Sequence, residues 1–224
     1  MNDSPTKRPR IPFGVFFAVF VPVFTLVFGW SAVSTTLEPK SYESEARIEV
    51  GLKSVGESQK RMMNYDVTKN ETEFIGSESL LRKVIADLNL NDNWGKKYFN
   101  GETLKTWETL KILQGRINIS SIPDTTLIQI RAYDDNPDDP AIMANAIAKA
   151  YMNYVATNSG DLQAQIVDTA HANKIPVAPR VALNLTLGVL AGIFLGFIFG
   201  TSSAVFVYLK NRHIPTTPSQ HFAE

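Results

Sequence analysis

The chain has 224 residues, no cysteine, and 22 basic residues balanced by 22 acidic ones. A neutral sum without a basic stripe excludes the electrostatic footprint of a nucleic-acid-binding protein. Without thiols, any folded segment outside the cytosol must rely on its own core rather than on disulfides.

Two stretches carry no charged side chain, Ile11 to Val33 and Val181 to Leu209. At about 1.5 Å per residue each can cross the roughly 30 Å hydrocarbon layer of a bilayer, and the second must tilt or protrude. The sequence therefore divides into a stub (1–10), a first transmembrane helix (11–33), a central segment (34–180), a second transmembrane helix (181–209) and a tail (210–224). Lys7, Arg8 and Arg10 precede the first span, and Lys210 and Arg212 follow the second. The positive-inside rule then puts both termini in the cytoplasm and the central segment outside, with Lys174 and Arg180 outnumbered. "KRPR", an apolar stretch and the small residues Ala32 to Ser34 also fit a cleaved signal peptide, but the run exceeds the usual apolar region of about 7–15 residues. Pro22 is compatible with a membrane helix.

In "YESEARIEVGL", Tyr42, Ala46, Ile48, Val50 and Leu52 alternate with polar residues, the period of a half-buried strand. Residues 53–70 show no period and read as loop. Over 72–90, Leu81, Val84, Ile85 and Leu88 fall on one helical face, and Ser77 or Ser79 can supply the N-cap oxygen. A second helix fits "ETLKTWETLKILQG", with Leu104, Trp107 and Leu110 on one face and Gly115 as the stop. "RINISS" and "LIQIRAY", separated by the turn-forming "IPDTT", predict a hairpin.

Next comes "YDDNPDDPAIMANAIAKAYMNYV". Asp134, Asn136 and Asp138 are spaced like the first ligands of a calcium loop, but Asp139 stands where glycine is needed and Asn145 where a bidentate glutamate is needed. The better reading has Asp139 capping a helix, Pro140 in its first position and the acidic residues complementing the helix dipole. Met143, Ile147, Ala150 and Tyr154 form its core stripe. The first half of "LQAQIVDTAHANKIPVAPR" then reads as a strand of imperfect alternation, and Pro176 and Pro179 keep the approach to the second span extended. The expected fold is α+β, one mixed domain flanked by two transmembrane helices.

Catalytic signals are thin. The chain contains no phosphate loop, nucleophile elbow or zinc-helix motif. Its three histidines, His171, His213 and His221, are scattered, and the paired carboxylates have no cleft assigned to them. The reading is a non-enzyme with no catalytic residue, cofactor or metal.

The second span holds Gly188, Gly192, Gly196 and Gly200 at every fourth position, followed by Ala204. Glycine costs about 1 kcal/mol relative to alanine in a helix in water. In lipid, however, a small-residue strip allows close backbone approach, which drives helix association. The strip can pack against the first span, the same helix of a neighbouring copy, or another membrane protein.

Taken together, the span, the "YESEARIEV" strand, the "TEFIGSESLLRKVIADLNL" helix, the block "DTTLIQIRAYDDNPDDPAIMANAIAKAY" and the glycine-rich second span resemble the polysaccharide co-polymerases, the Wzz-type chain-length determinants. The block with Asp139, Pro140, Ala141, Asn145 and Tyr151 is the most specific part, and Pro176 and Pro179 match the juxtamembrane prolines. The resemblance implies a non-enzymatic regulator of the chain length, polymerisation or export of a surface polysaccharide such as O-antigen, capsule or exopolysaccharide. It implies a homo-oligomeric collar in the bacterial inner membrane, with the central domain periplasmic. Implied partners are a polysaccharide polymerase or flippase and the growing glycan, with a separate cytoplasmic tyrosine kinase as a further one. The chain departs from the family in lacking both the long helical excursion of O-antigen regulators and a third juxtamembrane proline. Alternatives are a kinase-activating adaptor and an extracytoplasmic sensor.

Overall fold

A computed structural model of the chain describes residues 13–53 and 60–212, the side chains of 60–66 excepted. The stub with its basic residues, and the tail beyond Arg212 with His213 and His221, lie outside the described residues. In chain order the elements are α1 (Phe13–Leu37), β1 (Tyr42–Leu52), α2 (Lys60–Ile75), α3 (Glu78–Asp87), α4 (Leu90–Tyr98), α5 (Thr106–Gly115), β2 (Ile117–Ser121), β3 (Leu127–Asp134), α6 (Asp139–Asn158), β4 (Leu162–Asp168) and α7 (Val181–Arg212). The class is α+β, with two long apolar helices and a small central sheet. It forms two compact units, a helical one from the two flanks of the chain and a sheet-bearing one over Pro39–Ala178.

In the helical unit, α1 and α7 are long and apolar enough to cross a membrane by length and composition. Both outrun the expected spans, α1 reaching Leu37 and α7 reaching Arg212.

The sheet-bearing unit is built around β1. The strand order is β2-β3-β1-β4, all antiparallel. Ser44, Ala46, Ile48 and Val50 of β1 and Ile128, Ile130, Ala132 and Asp134 of β3 point to one buried face. The expected alternation is thus present, and β2 and β3 form the expected hairpin. Met143, Ala144, Ile147, Ala148 and Tyr151 of α6 cover that face, with Leu80, Leu81, Val84 and Ile85 of α3 continuing the core. At about 25 cal/mol per Å² of apolar surface, such a core is what holds a unit without disulfides. The opposite face is polar: Gln165 donates to Glu49 at 2.6 Å, Thr126 donates to Glu49 at 3.0 Å, and Gln129 donates to Glu45.

Five expectations need correction. Residues 60–70, read as loop, belong to α2. That helix is polar along most of its length, and only Val67, Thr68, Phe74 and Ile75 of its described residues reach the core. The helix expected over 72–90 is broken twice. α2 stops at Ile75, α3 starts after Gly76 and Ser77, and Asn89 takes the left-handed conformation at φ 49° before α4, a helix the sequence reading missed. Ser77 occupies the N-cap position, yet its Oγ makes no hydrogen bond to the helix. Trp107 does not share a buried face with Leu110: it is 50% exposed, and Thr109, Leu110 and Leu113 turn inward instead. Asp138, not Asp139, holds the N-cap position of α6, so Asp139 opens the helix and Pro140 follows as its second residue.

The unit begins and ends at one place. Ser41 N donates to Ala178 O at 3.0 Å, and Val177 N donates to Ser41 O at 2.8 Å. Pro176 and Pro179 flank this bridge in irregular backbone, as their fixed φ and missing N–H favour.

Candidate functional site

Gly188, Gly192, Gly196, Gly200 and Ala204 are the buried residues of α7. The first four face α1 in descending order, which makes the pair antiparallel. A Cβ on Gly188 would meet Ser31 Oγ at 2.5 Å, on Gly192 Phe24 Cδ2 at 2.9 Å, on Gly196 Phe20 Cδ2 at 2.7 Å, and on Gly200 Phe16 Cδ2 at 2.8 Å. Each glycine is therefore the floor under a side chain of α1. Of the three possible neighbours left open by the sequence, the chain's own first helix takes the strip.

The α1 side of this seam went unread in the sequence, although its signal is plain. Phe16, Phe20, Phe24 and Phe28 also recur at every fourth position, and their rings stack at centroid distances of 5.5, 6.2 and 6.0 Å. Phe197 sets its edge against Phe16 and Phe20 at 5.5 and 5.6 Å. Ser31 donates to the Asn184 carbonyl at 3.0 Å. A ladder of rings on a ladder of glycines gains dispersion along its length, the means of helix association available in lipid.

The acidic stretch after β3 forms a second constellation, in the sheet-bearing unit. The Asp134 side chain is fully buried, and it accepts from Lys97 at 2.9 Å, from Tyr98 at 3.1 Å, from the Asp135 backbone N–H at 2.7 Å, and from Arg116. Lys97 also donates to Asp135 at 2.6 Å and to Asp139 at 3.1 Å, so one ammonium sits among three carboxylates. The Arg116 guanidinium lies over the rings of Trp94 and Tyr98, 5.0 and 4.7 Å from their centroids. Partial burial works against the charge on Lys97, but its hydrogen bonds to Asp135, Tyr98, Asp134 and Asp139 prevail and hold its pKa above the usual lysine value. Asp135 is held below the usual carboxylate range, first by hydrogen bonding with Asp134 and then, against burial, by Lys97 and Tyr98. Of the residues in the calcium-like spacing, Asp134 is thus paired with protein cations. Among the described residues no group of three or more histidine or carboxylate side chains is arranged to hold a metal ion.

The residues that carry the resemblance are tied into the fold. Asn145 donates to the Ala170 carbonyl at 2.9 Å and accepts from the Ala170 N–H at 2.8 Å, fastening the segment after β4 to α6. Tyr151 is wholly buried and donates to Glu71 at 2.9 Å; burial first, then the Glu71 charge, pushes its pKa up. Pro140 and Ala141 are buried at the start of α6, and Asp139 accepts from Lys97 and from Asn136, at 3.1 and 3.2 Å. His171 lies exposed beside Thr169, its ring nitrogen 3.4 Å from that hydroxyl. These residues set the shape of the unit rather than converge on a cleft. Compared with protein-family models and with curated proteins, the chain matches none.

Proposed function

We propose that this protein is a membrane-anchored, non-enzymatic scaffold that regulates the chain length, polymerisation or export of a bacterial surface polysaccharide. The observation that carries the reading is the plan of the chain. A small sheet-bearing unit with both ends joined at Ser41 and Ala178 is inserted between two apolar helices that pair through a glycine seam. In this reading α1 and α7 cross the inner membrane, both termini are cytoplasmic, and the unit over Pro39–Ala178 stands in the periplasm. Copies assemble there beside a polymerase or flippase and the growing glycan. The resemblance of the Asp139 to Tyr151 block to the co-polymerases supports the substrate class. The notable polar residues Asp134, Asn145 and Tyr151 hold the fold.

The test is the electrophoretic profile of surface and secreted polysaccharide from cells with and without the gene. A shift in modal length, or loss of high-mass polymer, is the expected result. An unchanged profile would reject the reading and favour the adaptor or sensor.

A further inference from the structure

Among the described residues, neither edge strand of the sheet, β2 or β4, pairs with a further strand. Edge strands usually carry lysine, proline or a covering loop that discourages pairing with another chain. β2 reads INISS with no charge at all, and β4 reads LQAQIVD with one charge at its last residue.

Their backbone phases can be worked out. Tyr133 N bonds to Arg116 O, and Ile122 N bonds to Leu127 O, so the even-numbered residues of β2 face β3, while Ile117, Ile119 and Ser121 present N–H and C=O outward. Lys53 N bonds to Asp161 O, so Gln163 and Gln165 face β1, while Leu162, Ala164 and Ile166 present theirs outward. Three outward residues thus stand on each edge.

Their side chains also match. Ile117 and Ile119 lie opposite Ala132 and Ile130, and Ala164 and Ile166 lie opposite Val50 and Ile48, so all four sit on the helix-covered face. On that face a groove of about 380 Å³ opens beside the β2 edge, lined by Thr72, Glu73, Gly76, Gln114, Ile117 and Ile119. Ile166, on the opposite edge, is an aliphatic side chain left 40% exposed. One edge offers a hollow and the other a knob.

Strand direction selects how copies combine. β1 and β2 run one way, β3 and β4 the other, so the two edges have opposite polarity. Antiparallel pairing of like edges would set hollow against hollow, or knob against knob. Parallel pairing of like edges would put the helices on opposite faces and break the aliphatic row. Only β4 of one copy against β2 of the next sets knob in hollow with the helices of both copies on one face, and such a head-to-tail contact repeats from copy to copy.

We propose that the protein assembles by this edge-to-edge pairing, a second copy adding its β4 to β2 with Ile166 seated in the groove beside Ile117. The register that uses every outward group opposes Ile117 with Ile166, Ile119 with Ala164 and Ser121 with Leu162. This inference rests on the scaffold reading, whose glycine seam is spent within the chain and leaves assembly to another surface.

The chain has no native cysteine, so a double variant tests it cleanly. Asn118 and Gln165 fall opposite each other in this register as a non-hydrogen-bonded pair, the kind with side chains close enough for a disulfide. The full-length N118C/Q165C protein, oxidised in native membranes, is expected to give a ladder of covalent multimers. N118C alone and Q165C alone are expected to give none, and adding I166E to the double variant is expected to abolish the ladder while the far-ultraviolet spectrum is kept. Multimers by native mass measurement without the ladder would overturn this interface and leave the scaffold reading standing. A monomer in membranes and in mild detergent would overturn the interface and the assembly part of that reading, while the polysaccharide profile judges its function separately.

Discussion

Gly196 and Phe20 are fitted to each other: a methyl group on the glycine would stand 2.7 Å from Cδ2 of the ring. The contact repeats with Phe24 at Gly192 and with Phe16 at Gly200. Gly196→Ala must push the helices apart or turn the ring, and we expect a loss of about 1–3 kcal/mol in helix-pair stability, the usual range for overpacking. Denaturant titration of the full chain in micelles measures it, with the sheet-bearing unit keeping its own transition. A combined G192A/G196A/G200A protein with unaltered helix pairing would refute the seam.

Tyr151 separates two effects at one position. Tyr151→Phe removes only the hydrogen bond to Glu71 and should cost about 1 kcal/mol. Tyr151→Ala leaves a cavity under α6 and should cost about 3–5 kcal/mol. Equal costs in thermal unfolding would mean that the ring is not packed as described.

Asn145 should be as sensitive as a core residue despite its polarity. Asn145→Ala strands both the N–H and the C=O of Ala170, which is itself buried, and leaving such groups unsatisfied costs about 1–3 kcal/mol each. Hydrogen exchange should rise in the segment following β4. Unchanged protection there would show that other contacts hold it.

The charged cluster and the buried Tyr151 give an alkaline limb to stability. Lys97, Tyr98 and Tyr151 all have folded pKa values raised above their ordinary ones. Their contributions are fully present below about pH 10 and are lost as pH rises toward the folded values. Asp135 works with the opposite sign: its contribution is present above the ordinary carboxylate value of about 3.9 and is lost as pH falls through its lowered folded value. Melting temperature should therefore fall between pH 9 and 11, roughly the span in which unperturbed lysine and tyrosine titrate, and Lys97→Met should flatten that fall. Asp134→Ala strips the buried anion from Arg116 and Lys97, with an expected cost of about 3 kcal/mol at neutral pH. A pH-independent melting temperature would contradict the network.

Trp107 is the opposite case, a large apolar residue expected to matter little. Trp107→Ala should change stability by no more than about 0.5 kcal/mol, whereas Leu113→Ala should cost about 2–5 kcal/mol. Reversed sensitivities in urea titrations would place Trp107 back in the core.

β1, β3 and α6 were legible because their burial is written in regular periods. Ala46, Ile48 and Val50 alternate, and Met143, Ile147 and Ala150 recur along one stripe. α2 was not legible, since a helix lying over the core by a few contacts leaves the rest of its surface free to be polar. The breaks at Gly76 and Asn89 were hidden because Leu81 to Leu88 keep a helical period on their own, and nothing in that period shows where neighbouring turns stop. The same holds for Asp139. An acidic residue before a helical proline reads as a cap, and only the fold shows that Lys97, from a distant helix, draws the carboxylate sideways. The glycine half of the helix seam was visible in the sequence, while its identity as an intrachain contact needed the phenylalanine half. The matching edges of the sheet became visible only with the strand order.

The position of β1 at the centre of the sheet also dictates a timetable for the nascent chain. Ile48 is made early, yet it has no strand partner until Ile128 follows, and it lacks its second until Ile166. For most of synthesis this interior strand has no neighbour on either side. Closure of the unit waits for the last residues before α7, so folding is set by the arrival of distant sequence rather than by local turns. A ribosome pausing before Ala178 would leave the unit unsealed, and a slow codon or a truncation there should expose β1 to chaperones and proteases more than any change in the helices does.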